Sequence, residues 1–339
     1  MLIIMPAQEQ DGGRPPTIAD VAAHAGVSIA TVSRVMSGKA QVREATRRRI
    51  EQAITETGWV ASPAARLLAG GRSDEVALAI AVDSRADFAE DPYYARVIAG
   101  AQEEAARHGL NLCVHVGTGY SVAGLAPFTG DRRFAGAILV NVDVREAAYL
   151  RTLGRPLVSM GPSARGVPST TASNSEGAAD AAGHLVAQGR RRIAAIAGPA
   201  RNWCARERLT GYRSVLRSAG LPETVVAADF TRQGGERAAR TLLERYPDLD
   251  AIFVSSDFMA TAALQVLAAS GRRVPDDVAV SGFDDSPPAL MTTPALTTVH
   301  QPVERLAALA VRTLLRPPGE RPPARRLPTR LIVRASSAG

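Results

Sequence analysis

The spacing of apolar residues changes once along this chain, near residue 75, and that change constrains the fold more than any other feature. Before it, apolar residues recur only at helical spacing; after it, short apolar runs alternate with helical stretches. Ile18, Val21, Ala22 and Ala25 repeat at i, i+3, i+4 and i+7, which gives a short helix one apolar face. Thr17 is its N-cap, with Asp20 three residues on in place of the capping-box Glu. Gly26 supplies a tight turn, and Ser28 caps a second helix with Val32, Val35 and Met36 directed inward. A third helix is expected over 44–57, with Ile50, Ala53 and Ile54 inward, a weak start at Arg43 and a stop at Gly58. Two short helices joined by a Gly-containing turn make a helix-turn-helix, whose second helix enters the major groove of DNA.

Charge agrees with that expectation. The whole chain carries a formal +7; between Arg14 and Arg72, nine Arg or Lys face four Asp or Glu, a local net of +5. Such a density is the electrostatic footprint of a polyanion-binding head. Lys39 is the only lysine, and Arg suits bidentate contacts to phosphate and guanine. In the second helix Ser28, Ile29, Ala30, Thr31, Ser33 and Arg34 are placed to read DNA, beside Thr17 at the start of the first. Arg34 is fit to fork onto guanine, a contact worth about 1–3 kcal/mol of discrimination. Ile29 and Ala30 read only thymine methyls, and the Ser and Thr side chains divide between base contact and ordinary capping. Residues 62–69 form a further short helix, with Ser62 as cap, Pro63 at N1 and Gly70-Gly71 as stop. Isolated helices shorter than roughly 12–15 residues are marginal, so this one is expected to order only when docked.

From Glu75 onward, strands are expected over 76–82, 110–116, 137–140 and 157–160, then over 192–197, 225–230, 251–255 and 278–282. Helical stretches lie between them, over 93–108, 175–188, 206–219, 234–245 and 258–270. Strand–helix alternation implies parallel α/β layers, and two series imply two similar halves. The stretch 117–134, broken by Gly124, Pro127 and Gly130, yields no clear helix. A cleft between such halves lies at the carboxyl ends of strands, where Asp83, Tyr93, Tyr94, Arg208, Phe230, Ser256 and Asp284 fall.

The residues 17–22 (Thr-Ile-Ala-Asp-Val-Ala), Gly26-Val-Ser, 30–35 (Ala-Thr-Val-Ser-Arg-Val) and 65–69 (Ala-Arg-Leu-Leu-Ala) resemble the head of the lactose-repressor (LacI/GalR) family of bacterial regulators. The likeness continues more loosely to the end of the chain. It implies an all-α helix-turn-helix head and hinge helix, followed by a type I periplasmic-binding-protein-like core of two parallel-sheet subdomains joined by three crossing strands. The expected limits are an unstructured 1–16, a head over 17–60, a hinge over 61–73 and an effector and dimerisation domain over 74–335. Within it, one subdomain takes about 74–172 plus 299–318 and the other about 173–296 plus 325–335. Crossings fall near 169–174, 287–296 and 319–327. By position Leu68 resembles the family's minor-groove wedge, with Arg66 beside it and Leu67 packing on the sibling hinge. Arg208 and Asp284 match the family's ligand-binding pair and Phe230 its stacking aromatic, while Ser256 stands where Asn is commoner. Asp83 and Tyr94 complete the expected effector set. Asp257 and Asp285 divide between ligand contact and structural roles; Trp203 either lines the mouth or packs beneath it. The resemblance implies a homodimer on a palindromic double-stranded operator, released by a small effector, a sugar or sugar derivative. A corepressor or activator arrangement is the alternative.

Other classes fit less well. Hydrophobic content of 46% suits a chain with a real core, and no apolar run approaches the roughly 18 residues of a membrane span. The N-terminus lacks a signal peptide's basic start, which implies a cytoplasmic protein. Cys113 and Cys204 make neither a disulfide framework nor a zinc site, and the histidines lack metal spacing, so neither metal nor cofactor is expected. The segment 117–124 has glycines, but not at dinucleotide-loop spacing; enzyme and transport-protein readings both fail to explain the first seventy residues. No terminal leucine heptads suggest a coiled-coil tetramer.

Overall fold

The computed structural model describes residues 14–36, 42–60, 73–119, 121–162 and 164–338. The chain divides into two compact units, Met1–Asp74 and Glu75–Gly339. The proposed hinge over 62–69, with Arg66, Leu67 and Leu68, lies outside the described residues, as do residues 1–13 of the expected unstructured start.

In the first unit α1 (Ile18–His24), α2 (Ile29–Met36) and α3 (Glu44–Thr57) follow the sequence pattern closely. Asp20 accepts from the Thr17 backbone N–H and from its hydroxyl, both at 2.7 Å, so the reciprocal half of a capping box forms with Asp in place of Glu. Gly26 turns the chain at φ +62. Val21, Ala22, Val32, Val35, Ile50 and Ala53 form the small core. Met36 departs from expectation: it is 37% exposed, because it follows Val35 at the helix end and one helical step carries it past the buried stripe. His24 sits 2.5 Å from Glu56, tying α1 to α3.

In the second unit a six-stranded sheet holds β1 (Glu75–Val82), β2 (Asn111–Thr118), β3 (Phe134–Val140), β4 (Leu157–Met160), β5 (Ser169–Ala172) and β11 (Ala324–Leu327), in the order β11-β5-β4-β3-β1-β2. Its pairings are parallel. The alternation along β1 decides which face meets what. Val76, Leu78, Ile80 and Val82 join the core against α5 (Pro92–Arg107) and α13 (Val303–Leu315), while Ala77, Ala79 and Ala81 face α6 (Val122–Thr129) and α7 (Val144–Arg151). The expected irregularity over 117–134 contains α6 despite Pro127 within it; Leu125 and Thr129 are buried, and the Thr129 hydroxyl donates to Leu125 O.

A second, four-stranded parallel sheet follows, with β6 (Ile193–Ala197), β7 (Thr224–Ala227), β8 (Ala251–Val254) and β9 (Ala279–Ser281) in the order β7-β6-β8-β9. Around it lie α8 (Asn174–Ala187), α9 (Trp203–Ser218), α10 (Arg232–Arg245), α11 (Asp257–Ala269) and α12 (Pro287–Met291). The short α4 (Arg85–Glu90), α7 and α12 were not expected from the sequence. β10 (Thr298–His300) pairs antiparallel with β12 (Arg330–Ile332).

The crossings correct two of the three expected positions. The first passes between β5 and α8, where it was expected. The stretch 287–296 belongs to the second half: Pro287 and Pro288 open α12, where the missing N–H groups are harmless, and Ala289 and Leu296 lie in the second core. The chain crosses instead after β10. The third crossing follows β11, whose residues pair with 169–172 of β5, so residues 325–327 sit in the first sheet and 299–300 beside the second.

Candidate functional site

On α2 the face opposite Val32 and Val35 carries the expected reading edge. Ser28, Ile29, Ala30 and Arg34 are exposed, with Ile29 at 50%; Thr31 and Ser33 are half-buried. Ser28 Oγ accepts from the Thr31 backbone N–H at 3.2 Å and lies 2.8 Å from Thr31 Oγ1, so both hydroxyls already serve the helix start. Arg48 and Arg49 are exposed on α3.

The second site is a cavity of about 1070 Å³, counted with its opening to solvent, between the two sheets of the second unit. Arg208, on α9, is buried to 3% exposure. It donates through Nε to Asn174 Oδ1 (2.9 Å) and through Nη1 to Ser255 O (2.6 Å), sits 3.0 Å from Asp284 Oδ1, and lies 3.7 Å over the Phe283 ring. Asp284 follows β9 at φ +115, a conformation that ordinary residues rarely adopt. Gln301, on the second crossing, donates to Asp284 Oδ1 at 2.6 Å. Burial pushes the Asp284 carboxyl up against the pull of Arg208 and Arg96; Arg208, raised by Asp284 despite its burial, stays protonated.

Arg96 ties this loop to the first half. From α5 it donates to Asp284 O (2.9 Å) and Gln301 O (3.2 Å), and it forks onto Glu304 at 2.6 and 3.0 Å. Tyr94, also on α5, is buried against Phe88 and Tyr93 and accepts at its hydroxyl from Asn141 Nδ2 (2.9 Å). Asp91 caps the same helix, accepting from Tyr93 N at 2.9 Å. Burial pushes its carboxyl up to about 7, with the charge on Asp284 adding to the rise. Phe230 leaves β7 at φ +66, and a Cβ on Gly198 would stand 2.3 Å from its ring, so only glycine admits the ring there. Ser256 caps α11, accepting from Met259 N at 3.3 Å.

Of the six expected effector residues, Tyr94, Arg208, Phe230, Ser256 and Asp284 line the cavity. Asp83 does not: it forms an ion pair with Arg201 and lines a smaller adjoining depression instead. β1 runs through Val82, and the chain turns at once into α4, capped at Ser84. Trp203 lines the cavity. Asp257 is structural, accepting from the Thr298 hydroxyl (2.5 Å) and from Ser286 N and Oγ (2.8 and 3.2 Å); its carboxyl is raised chiefly by burial. For Asp285 burial is outweighed by hydrogen bonds from Arg334 (2.6 Å) and His300 (3.0 Å), and the carboxyl is held below its usual range. Asp91, Asn141, Asn174 and Gln301 were missed. Asn141 follows β3 directly and Asp91 precedes a helix-opening Pro, so strand-end and capping rules would have found two of them. No group of three or more metal-ligating side chains occurs among the described residues.

Comparison with known proteins finds a family match in each unit. Residues 17–62 match the family of bacterial regulatory proteins, lacI family, and residues 182–337 match the periplasmic binding protein-like domain. The chain is 41% identical over 337 residues to the HTH-type transcriptional regulator CelR of Thermobifida fusca, across 95% of this chain and 98% of that one. This chain belongs to the lacI family. It is also 31% identical to the ribose operon repressor of Halalkalibacterium halodurans, over 95% of this chain and 97% of that protein. Among solved structures it resembles the CelR–cellobiose complex (36% identity, TM-score 0.72, 95% of this chain and 100% of the other). It also resembles the lac repressor dimer bound to operator and the anti-inducer ONPF (26%, TM-score 0.85, 96% and 100%). The helix-turn-helix head and parallel-sheet core expected from the sequence are the family's, and as a member the chain is a DNA-binding transcriptional regulator. Among the described residues no helix is long and apolar enough to cross a membrane.

Proposed function

We propose that the chain is a cytoplasmic, non-enzymatic repressor that binds a palindromic operator as a homodimer and releases it when a sugar occupies the cavity. The observation that carries this is the buried Arg208–Asp284 pair at the cavity wall, with Phe230 beside it, on the same chain as an exposed recognition helix. Paired sugar hydroxyls bridge a guanidinium and a carboxylate, and a ring face covers C–H groups. CelR, the relative solved with cellobiose, and the ribose repressor supply the first ligands to try. Thr17, Ser28, Ile29, Ala30, Thr31, Ser33 and Arg34 form the DNA edge, with Arg66 and Leu68 from the hinge. The division into a head over 17–60, a hinge over 61–73 and an effector domain after it follows from this reading. The exposed Leu290 and Met291 on α12 suit burial against a second copy.

The switch is an order–disorder transition of the hinge, driven by a change in the angle between the core's two halves. A thermal-shift panel of sugars followed by gel shifts on the protein's own upstream DNA tests it. A ligand at 100 times its dissociation constant adds roughly 2.7 kcal/mol of stability, and the same ligand releases the operator. Leu68→Ala weakens operator binding strongly and leaves ligand binding alone; unchanged operator affinity in a gel shift sinks the wedge assignment.

A further inference from the structure

Helix N-termini are ready-made anion sites, because their free N–H groups and dipole favour negative charge. Four of them meet at the cavity, and each N-cap residue lines it: Asp91 for α5, Asp143 for α7, Asn202 for α9 and Ser256 for α11. All four are closed by the chain's own side chains. Asp91 accepts from Tyr93 N (2.9 Å), Asn202 from Cys204 N (3.1 Å) and Ser256 from Met259 N (3.3 Å). At α7 the closure is reciprocal, Asp143 accepting from Glu146 N (2.8 Å) and Glu146 from Asp143 N (2.9 Å). Glu146 lines the cavity too. The caps therefore fill the sites where a phosphate would seat, and at α7 they place two carboxylates there.

The cations are likewise engaged. Among the described residues that line the cavity, Arg201 and Arg208 carry the positive charge. Arg201 is paired with Asp83, and Arg208 with Asp284, Asn174 and Ser255 O. On the other wall Asp143 and Glu146 accept from each other's backbone N–H, while Asp91 feels the charge of Arg208.

We infer that the cavity selects uncharged sugars and excludes phosphorylated ones, an inference that rests on the carbohydrate reading above. Hydroxyl groups donate to the wall carboxylates and accept from the remaining Arg208 N–H groups. A phosphate dianion meets like charge and capped helix ends. The regulator thus responds to a sugar before a phosphoryl-transfer step has acted on it, and the phosphorylated product is silent.

The test is calorimetric titration of the full chain with cellobiose against cellobiose 6′-phosphate, and ribose against ribose 5-phosphate, at low and high salt. Whichever sugar binds, its phosphate ester is expected to bind at least 100-fold more weakly. Added salt and Glu146→Gln should each narrow that gap by threefold or more, since both weaken the like-charge repulsion. An ester that binds as tightly as its parent sugar overturns the inference and leaves the sugar-responsive repressor standing. A gap insensitive to salt and to Glu146→Gln also overturns it, because exclusion is then by shape. If no sugar or ester binds, the carbohydrate reading falls, and this inference with it.

Discussion

Asp284 is held at φ +115 by three side chains, Arg208 and Gln301 on its carboxylate and Arg96 on its carbonyl, and by its own N–H donating to Val299 O. Non-glycine residues in such conformations persist only where surrounding contacts over-determine them, and they cluster at ligand sites. Asp284→Asn keeps the shape and removes the charge that answers Arg208. It is expected to weaken effector binding by tenfold or more in a titration while operator affinity in the absence of ligand is kept. Asp91 gives a separate, pH-dependent signature. Its carboxyl lies at about 7 in the folded protein against roughly 3.9 in an unfolded chain, so the folded state holds the extra proton between those values. Its contribution to stability is therefore fully present below pH ~4 and is lost as pH rises through 7. Asp91→Asn retains a cap acceptor and cannot ionise, so thermal melts should show a flatter decline from pH 5 to 8 and a higher Tm at pH 8. A variant whose pH profile overlays the parent's would show that Asp91 carries no such cost.

The helices of the head and the crossing strands of the core were legible in the sequence to different degrees. α1 and α2 start at, and α1 and α3 stop at, the signals expected of them: Thr17, Ser28, Gly26 and Gly58. One of the two wrong crossings was 287–296, where a Pro pair reads equally as a linker and as the first turn of a helix, and only packing against α11 decides between them. The head core is small, and a domain of this size is marginal. Ile50 is fully buried at its centre, so Ile50→Ala should cost about 2–5 kcal/mol. That is enough to abolish operator binding, while the core's melting transition and its ligand response are unchanged; calorimetry distinguishes the two. Operator affinity should also fall steeply with salt, log K dropping by about 0.9 per phosphate contact for each tenfold rise, as the local +5 charge requires.

Across the core, Arg96 joins residues from both halves and from the crossing between them, and two of its four hydrogen bonds go to main-chain carbonyls. Its ion pair with Glu304 is partly exposed, which discounts it to about 1 kcal/mol, but the two donated bonds to Asp284 O and Gln301 O are more buried. Arg96→Met should lower core stability by about 1–3 kcal/mol and alter how ligand shifts operator affinity, measured by gel shift with and without sugar; an unchanged ligand response would confine Arg96 to a packing role. From the chain's residues alone came the classes of the two units, the strand–helix order, the exposed face of α2 and five of the six cavity residues, because helix periodicity, caps and strand ends are set by near neighbours. What the folded molecule decided was where the chain crosses, that Asp83 turns away, that Asp91, Asn141 and Gln301 belong to one cavity, and that Arg96 holds the loop behind it. Arg96 and Gln301 lie 205 positions apart in sequence and 3.2 Å apart in space. A contact of that kind depends on how two sheets pack, and no local pattern records it.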